Sequence, residues 1–168
     1  MNYIETFKVT TPSDLEIVLT RMFDAPKKMV WRTLAEPALI RRWLLGPPGW
    51  EMTLCDNDFQ EGGRFRWEWI GPDQAQLALF GEYQEITPFD RIVRTESFEI
   101  GCEPQAGQQL AAISFEESDG KTTLKMTLTY PSKEARDATI ASGMDKGVSA
   151  GYARLDEVLA EIATEQIA

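Results

Sequence analysis

The chain has 168 residues, with 17 Lys and Arg against 27 Asp and Glu, so its formal net charge is −10. That length fits one domain, and 43% hydrophobic with 26% charged residues is typical of a globular rather than a disordered chain. The sequence contains no histidine, which excludes histidine-based triads, histidine zinc sites and histidine pH switches. We therefore expect a single domain over residues 1–168.

The acidic balance argues against two classes of partner. A nucleic-acid binder needs a basic face that releases phosphate counterions, and an anionic membrane repels a chain of this charge. Residues 1–8 form no apolar run, and no stretch approaches ~18 consecutive apolar residues. We expect a cytoplasmic protein that binds neither nucleic acid nor membrane, with Cys55 and Cys102 reduced rather than joined in a disulfide.

The first third of the chain predicts one strand and two short helices. Apolar residues alternate from Leu15 to Phe23, which indicates a strand. Pro26 and Pro37 each mark a helix start, because the missing N–H of proline costs nothing in a first turn. The second helix reaches Trp43, and the Gly-Pro-Pro-Gly sequence at 46–49 ends it.

A period of two then predicts an antiparallel sheet. Phe65, Trp67 and Trp69 alternate with charged residues and share one face of their strand. Short turns between consecutive strands favour pairing of sequence neighbours, and residues 101–108 are expected to form a polar loop. The predicted strands cover Trp50–Asp56, Arg64–Trp69, Gln76–Ile86, Arg91–Ile100, Leu110–Glu116 and Lys121–Tyr130.

Helical periodicity returns in the last segment. Seven apolar residues at helical spacing predict one helix from about Met144 to Thr164. A curved antiparallel sheet must cover its apolar concave face, and this is the predicted element long enough to do so. The sequence thus predicts an α+β fold, in which about six or seven antiparallel strands wrap around a long C-terminal helix and two short helices follow the first strand.

Several short motifs occur together at a distinctive spacing. They are Arg21–Pro26, Val30-Trp31, Pro37, Trp43, Gly46-Pro47, Gly49, Gly62–Arg66, Gly81–Tyr83, Thr122–Leu124, Gly151 and Leu155. The combination resembles the activator of heat shock protein 90 ATPase homologue-like family, of the START-like or SRPBCC superfamily, over about residues 15–160. The resemblance implies the helix-grip fold with a cavity between helix and sheet. It implies chemistry poorly, because the family has many members of unassigned function.

Side chains that this fold brings under the long helix are the candidate lining of a ligand cavity. Ligand pockets are mostly apolar, with a few polar groups that orient the ligand. The same side chains can also pack as ordinary core, and the sequence leaves both interpretations open. The candidate lining consists of Phe65, Trp67, Trp69, Phe80, Glu96, Phe98, Met126, Met144, Val148 and Tyr152.

Glu96 is the polar member of this lining. Strand alternation puts it on the face of Phe98 and Arg94. A buried carboxylate needs a partner, and Arg94 is the obvious one. The alternative is a solvated sheet edge with both charges outside.

Three classes of function remain open. The first is a binding protein that holds a small hydrophobic molecule, whose identity the sequence does not specify. The second is a chaperone partner resembling the heat shock ATPase activators, although those owe part of their activity to an additional domain. The third is a cavity enzyme using pocket carboxylates. Its candidate acids and bases are Glu82, Glu96, Glu99, Tyr83 and Tyr152, and their arrangement singles out no pair. The sequence suggests no cofactor, metal or catalytic group, so we favour the binding protein.

Overall fold

The computed structural model describes residues 3–101, 103–104 and 107–167. Within them the strands are β1 (Lys8–Thr10), β2 (Glu16–Phe23), β3 (Glu51–Asn57), β4 (Arg64–Ile70), β5 (Gln76–Thr87), β6 (Arg91–Ile100), β7 (Glu103–Pro104), β8 (Gln109–Ser118) and β9 (Lys121–Thr129). The α-helices are α1 (Lys27–Ala35), α2 (Pro37–Trp43), α3 (Lys133–Ala141) and α4 (Met144–Ile167).

All the strands belong to one antiparallel sheet. Its order is β1-β2-β9-β8-β6-β5-β4-β3, with β7 paired to β6. Strands β3 to β6 pair with their sequence neighbours, as do β8 and β9, which the short turns predict. In contrast, β2 pairs with β9 along its whole length, from Glu16 opposite Thr129 to Phe23 opposite Thr122. The early strand therefore joins the sheet through the last one.

The long helix α4 covers the inner face of this sheet. Its apolar stripe packs into the main core, where Leu155 and Val158 are completely buried. Trp43 at the end of α2 joins that core, and its Nε1 donates to the Thr33 carbonyl of α1 at 2.8 Å. Pro26 precedes α1 and Pro37 opens α2, as predicted. This arrangement confirms the α+β helix-grip fold.

The structure contains elements that the sequence pattern did not predict. Strand β1 is three exposed residues long, too short to show alternation. Strand β7 interrupts the predicted loop 101–108. Helix α3 buries only Arg136 among its residues, so it has no apolar stripe from which it could be recognised. Helix α4 starts at Met144 as predicted and continues beyond Thr164 to Ile167.

Two further expectations concern cysteines and membranes. Cys55 is a buried free thiol, whereas Cys102 lies outside the described residues, so the absence of a disulfide stays a prediction. In the described part of the chain, no helix combines the length and apolar character required to cross a bilayer.

Candidate functional site

Strand β4 presents its three aromatic side chains to the inner face. Phe65, Trp67 and Trp69 are 2%, 3% and 7% exposed, which confirms the predicted alternation. The Phe65 ring lies 4.8 Å from that of Trp67 and 5.3 Å from that of Tyr83 on β5. Trp69 lies towards α2, where its Nε1 donates to the Leu44 carbonyl at 2.8 Å. Phe65, Trp67 and Tyr83 form what we term the aromatic wall.

Strand β6 carries a buried ion pair on the same face. Arg94 is 6% and Glu96 is 4% exposed, and the Arg94 Nε donates to Glu96 Oε2 at 2.9 Å. Gln109, directly opposite Glu96 on β8, donates from Nε2 to the other carboxylate oxygen at 2.8 Å. The inward interpretation of Glu96 is therefore correct, and the solvated edge is wrong.

The aromatic wall encloses the guanidinium of Arg94. Its central carbon lies 5.2 Å from the Phe65 ring and 5.0 Å from the Trp67 ring, at cation–π distance. Burial opposes its charge, but Glu96 and Tyr83 raise the pKa of Arg94 above its ordinary value. Burial likewise raises the pKa of Tyr83, against the effects of Arg94 and of the hydrogen bond to Asn57. Arg94 is thus a charged cation and Tyr83 a neutral phenol.

Tyr130 continues the polar surface towards the rim of the sheet. The β8–β9 register, extended by one residue, places it opposite Gln109. Its hydroxyl is buried and has no partner at hydrogen-bond geometry within the described part of the chain; the Thr139 hydroxyl, which donates to Ala135, lies near enough to influence its pKa. Burial raises the pKa of Tyr130 to about 12, with Thr139 opposing and Glu96 adding to the shift. We term Arg94, Glu96, Gln109 and Tyr130 the inner polar cluster.

Apolar side chains from α4 lie over this part of the sheet. Met144 and Val148 pack, partly buried, on the core group that contains Tyr130. Met126 of β9 is partly buried in the same group, and Phe98 of β6 is partly exposed on the inner face opposite Leu79. Methionine is flexible and polarizable, so Met126 and Met144 can adjust their conformation to ligands of different shape.

Tyr152 of α4 contacts aromatic rings on the sheet side. Its ring meets Phe23 edge-on at 5.3 Å and Phe7 at 6.1 Å. Burial raises the pKa of Tyr152, and the positive charges of Arg94 and Arg21 oppose that shift. Its hydroxyl is therefore neutral and lies in the field of both buried arginines.

Arg21 connects α4 to the sheet through a salt bridge. Arg21 of β2 is 2% exposed and binds Asp156 of α4 through both terminal nitrogens, each at 2.6 Å. The guanidinium also lies 4.7 Å from the Phe23 ring. A bidentate salt bridge of this kind fixes the orientation of the two side chains as well as their distance.

Residues 24–160 match the family described as Activator of Hsp90 ATPase homolog 1-like protein. The chain belongs to this family. It has the START-like fold expected of an Hsp90-activator-like member, and the resemblance found from its motifs is confirmed. No curated protein matches the chain.

Solved structures similar to this member of the Hsp90-activator-like family come from several bacteria. A crystal structure from Rhodobacter sphaeroides is 30% identical with a TM-score of 0.85, covering 93% of this chain and 99% of that one. One from Mycobacterium smegmatis is 26% identical with a TM-score of 0.78, covering 90% and 97%. A solution structure from Arthrobacter aurescens is 25% identical with a TM-score of 0.82, covering 92% and 91%.

Not every predicted lining residue faces α4 in this member of the Hsp90-activator-like family. Phe80 lies opposite Arg66 on the outer face, where that guanidinium stacks 5.2 Å from its ring, so its assignment to the lining is wrong. Trp69 is inward but belongs to the α2 end. The predicted residues on the facing surfaces of sheet and helix are Phe65, Trp67, Glu96, Phe98, Met126, Met144, Val148 and Tyr152.

Two members of the inner polar cluster were absent from the predicted lining. Tyr130 continues the alternation of Met126 and Leu128, so the rule that every second residue of a strand shares a face could have identified it. Gln109 precedes the predicted strand, and only the β6–β8 register reveals that it faces Glu96. Register between distant strands is not readable from one sequence.

The candidate acids divide between the two faces. Glu82 lies opposite Arg64 on the outer side, and Glu99 binds Arg66 there at 2.8 Å. That hydrogen bond lowers the pKa of Glu99. Among the described residues, no group of three or more Cys, Asp and Glu is placed to hold a metal.

Surface depressions also occur away from the inner polar cluster, among the described residues. One of about 150 Å³ lies on the outer face around Arg66, Glu68 and Glu99, and Trp69 also borders it. Another, of about 250 Å³, lies beside α4 between Asp24 and Asp156. Neither of these two depressions is lined by the inner polar cluster.

Proposed function

We propose that this protein binds a small hydrophobic molecule between α4 and the sheet, against the aromatic wall and the inner polar cluster. The observation that carries the proposal is a buried ion pair, enclosed by apolar and aromatic side chains, beside donors that have no hydrogen-bond partner among the described residues. A mostly apolar surface with a few convergent polar groups is the usual composition of a ligand site. Cytoplasmic location and independence from membranes and nucleic acid are part of the same proposal.

The energetics of the cluster support a binding role. Replacing a buried ion pair with apolar residues is often neutral or stabilising, so Arg94 and Glu96 are not explained by stability alone. A buried polar group without a partner costs about 1–3 kcal/mol. Trp67 Nε1 and the Tyr130 hydroxyl are both in that state within the described residues. Proteins retain such local costs chiefly where function needs them.

The rim under α3 is the natural route for the ligand. Helix α3 buries only Arg136 among its residues and joins α4 at Gly143, whose φ of +78° interrupts the helical path. Met144 and Val148, at the start of α4, are only partly buried. Movement of these two helix ends would expose Tyr130 and the polar cluster without unfolding the rest of the core.

Native mass spectrometry of freshly purified protein, paired with denaturing extraction, tests the proposal. A bound small hydrophobic molecule should be released on denaturation. Nile red, a neutral hydrophobic dye, then provides an affinity for each variant. Protein that carries no extractable molecule and does not enhance the dye fluorescence would contradict the proposal.

A pair of phenylalanines offers a matched control. Phe98 is on the inner face and Phe80 on the outer face, and both are partly exposed. Phe98→Ala should weaken dye binding roughly tenfold, since it removes about 1.5–3 kcal/mol of apolar contact. Phe80→Ala should leave it unchanged. Equal effects of the two substitutions would place the dye outside the inner face.

The family's description suggests a second candidate, stimulation of a heat shock protein ATPase. An ATPase assay of the chaperone with and without the purified chain distinguishes it from the first. We expect no stimulation, because the proposed activity resides in the interior of the domain. Stimulation that survives Phe98→Ala would establish a partner role separate from ligand binding.

A further inference from the structure

We infer that the inner face selects a neutral ligand with a hydroxyl group at its buried end, in preference to a carboxylate or an ammonium. This inference rests on the proposed function and names the chemistry that the site recognises. It follows from the charge balance of the interior and from the hydrogen-bonding groups still available in the inner polar cluster.

The charges that face α4 are paired with opposite charges. Arg94 is bound to Glu96 at 2.9 Å, and Arg21 to Asp156 at 2.6 Å. Among the residues that the structure describes, the other buried charge is Arg136, which is on α3 and binds its neighbour Asp137. Since both inner pairs are neutral overall, an ionic ligand would carry an uncompensated charge into an apolar space. Charge balance therefore favours a neutral molecule.

The available hydrogen bonds define the polar group of that molecule. Among the described residues, Glu96 accepts one hydrogen bond at each oxygen, from Arg94 and Gln109, whereas an ionised carboxylate has about four acceptor positions. The Tyr130 hydroxyl, in the same cross-strand row, makes no hydrogen bond in the described part of the chain and can donate or accept. The row of Glu96, Gln109 and Tyr130 thus offers an acceptor, the Glu96 carboxylate, at one end. At the other end it offers the Tyr130 hydroxyl, which can donate or accept.

A hydroxyl is the smallest neutral group that suits either neighbour. It can donate to Glu96 or accept from Tyr130, whereas an ionised carboxylate has no proton to donate to Glu96. An ammonium could donate to both oxygens, so the charge balance of the interior disfavours it, and not its hydrogen bonding. The aromatic wall, beside Arg94, suits a flat aromatic body for the rest of the ligand.

Three probes with one skeleton test this inference: naphthalene, 2-naphthol and 2-naphthoate at neutral pH. Isothermal titration calorimetry should show 2-naphthol binding about tenfold tighter than naphthalene, and 2-naphthoate at least tenfold weaker than 2-naphthol. Equal affinities, or preference for 2-naphthoate, overturn the inference and leave the proposed function standing. Binding of none of the three overturns the inference; if extraction also recovers no hydrophobic molecule, the proposed function fails with it.

Tyr130→Phe tests whether the Tyr130 hydroxyl gives the preference for 2-naphthol over naphthalene. It removes one unpartnered hydroxyl and should reduce the preference for 2-naphthol over naphthalene to about threefold or less, while naphthalene affinity stays the same. Tyr3→Phe, which removes a hydroxyl that does not belong to the inner polar cluster, is the control that should change nothing. A full preference for 2-naphthol in Tyr130→Phe would overturn the role of this hydroxyl.

Glu96→Gln supplies an independent readout of charge. With the carboxylate gone, Arg94 is an unpaired cation, so the ratio of 2-naphthoate to 2-naphthol affinity should rise tenfold or more. An unchanged ratio in the folded variant would overturn the charge argument. If this variant does not fold, the probe series and Tyr130→Phe still decide the inference.

Discussion

Arg94 and Glu96 stand two residues apart on one strand and share a buried environment. Neither charge can leave that environment while β6 stays in register, because alternation points both inward. Each therefore depends on the other for compensation. Gln109 adds a neutral donor but cannot replace the positive charge.

We expect Glu96→Leu to lower the free energy of unfolding by about 3–5 kcal/mol, since it strands a buried guanidinium. The double variant Arg94→Met with Glu96→Leu should recover most of that loss, because no unpaired charge remains. Urea denaturation of the two single variants and the double variant measures both quantities. If the losses of the single variants simply add in the double, the two residues are not coupled and this view of the pair is incorrect.

Stability should also fall in alkali, through the buried tyrosines. The folded pKa of Tyr130 is raised to about 12 from an ordinary value of 10.0. A group that is harder to ionise when folded stabilises the fold fully below the unfolded pKa, and this contribution is lost as pH rises through the folded pKa. The free energy of unfolding should therefore decline from about pH 10 to about pH 12, and less steeply in Tyr130→Phe. A decline of the same slope in both proteins would assign it to other groups.

Among the elements, α4 is attached to β2 and α2 by ion pairs and by a side-chain hydrogen bond. Arg21 of β2 binds Asp156, while Arg42 of α2 binds Glu161 and also accepts, through its carbonyl, a bond from Arg154. Arg21 is buried and Asp156 nearly so, whereas the side chains of Arg42, Glu161 and Arg154 are partly exposed or exposed. Of these contacts, only that of Arg21 with Asp156 combines low exposure with two parallel hydrogen bonds, so it should dominate the attachment.

Asp156→Asn should lower the free energy of unfolding by about 3–5 kcal/mol, because it leaves Arg21 charged and buried. Glu157→Gln, one residue along α4, removes an exposed pair with Arg154 and should change it by less than about 1 kcal/mol. Guanidinium denaturation of both variants makes the comparison. Similar losses at the two positions would show that the Arg21 contact has no special weight.

The distribution of charge over the whole molecule bears on its partners. The chain carries a net −10, and its two short basic runs lie in α1 and α2. Lys27 is bound to Asp90, and Arg42 to Glu161 and Glu165. These carboxylates cancel much of the local positive field that a polyanion would need.

We expect no retention on immobilised DNA or on phosphatidylserine vesicles at physiological salt. The physical reason is net repulsion, with one residue of each basic run paired to a carboxylate. Co-sedimentation and column retention across a range of salt concentrations measure this. Binding in the micromolar range that weakens as salt rises would show that a local patch overcomes the overall charge.

Sequence periodicity was sufficient where one face of an element is clearly apolar. The alternation of β4 and β6 and the stripe of α4 predicted their inward residues, Glu96 included. It failed for Phe80, because residues 77–80 read Leu-Ala-Leu-Phe and are apolar on both faces. It also failed for α3, whose single buried residue is Arg136. Contacts such as Gln109 with Glu96 depend on long-range register, which local patterns do not contain.

The pairing of β2 with β9 also constrains how the chain reaches its native state. Glu16 lies opposite Thr129, more than a hundred residues later, so the sheet cannot be completed by local hairpins. Closing so large a loop is entropically costly, and topologies rich in distant pairings fold slowly. During synthesis on the ribosome, β2 cannot pair until β9 has emerged. Until then the edge of β2 that pairs with β9 is exposed. This interval is when the nascent chain is most open to aggregation and to capture by a chaperone.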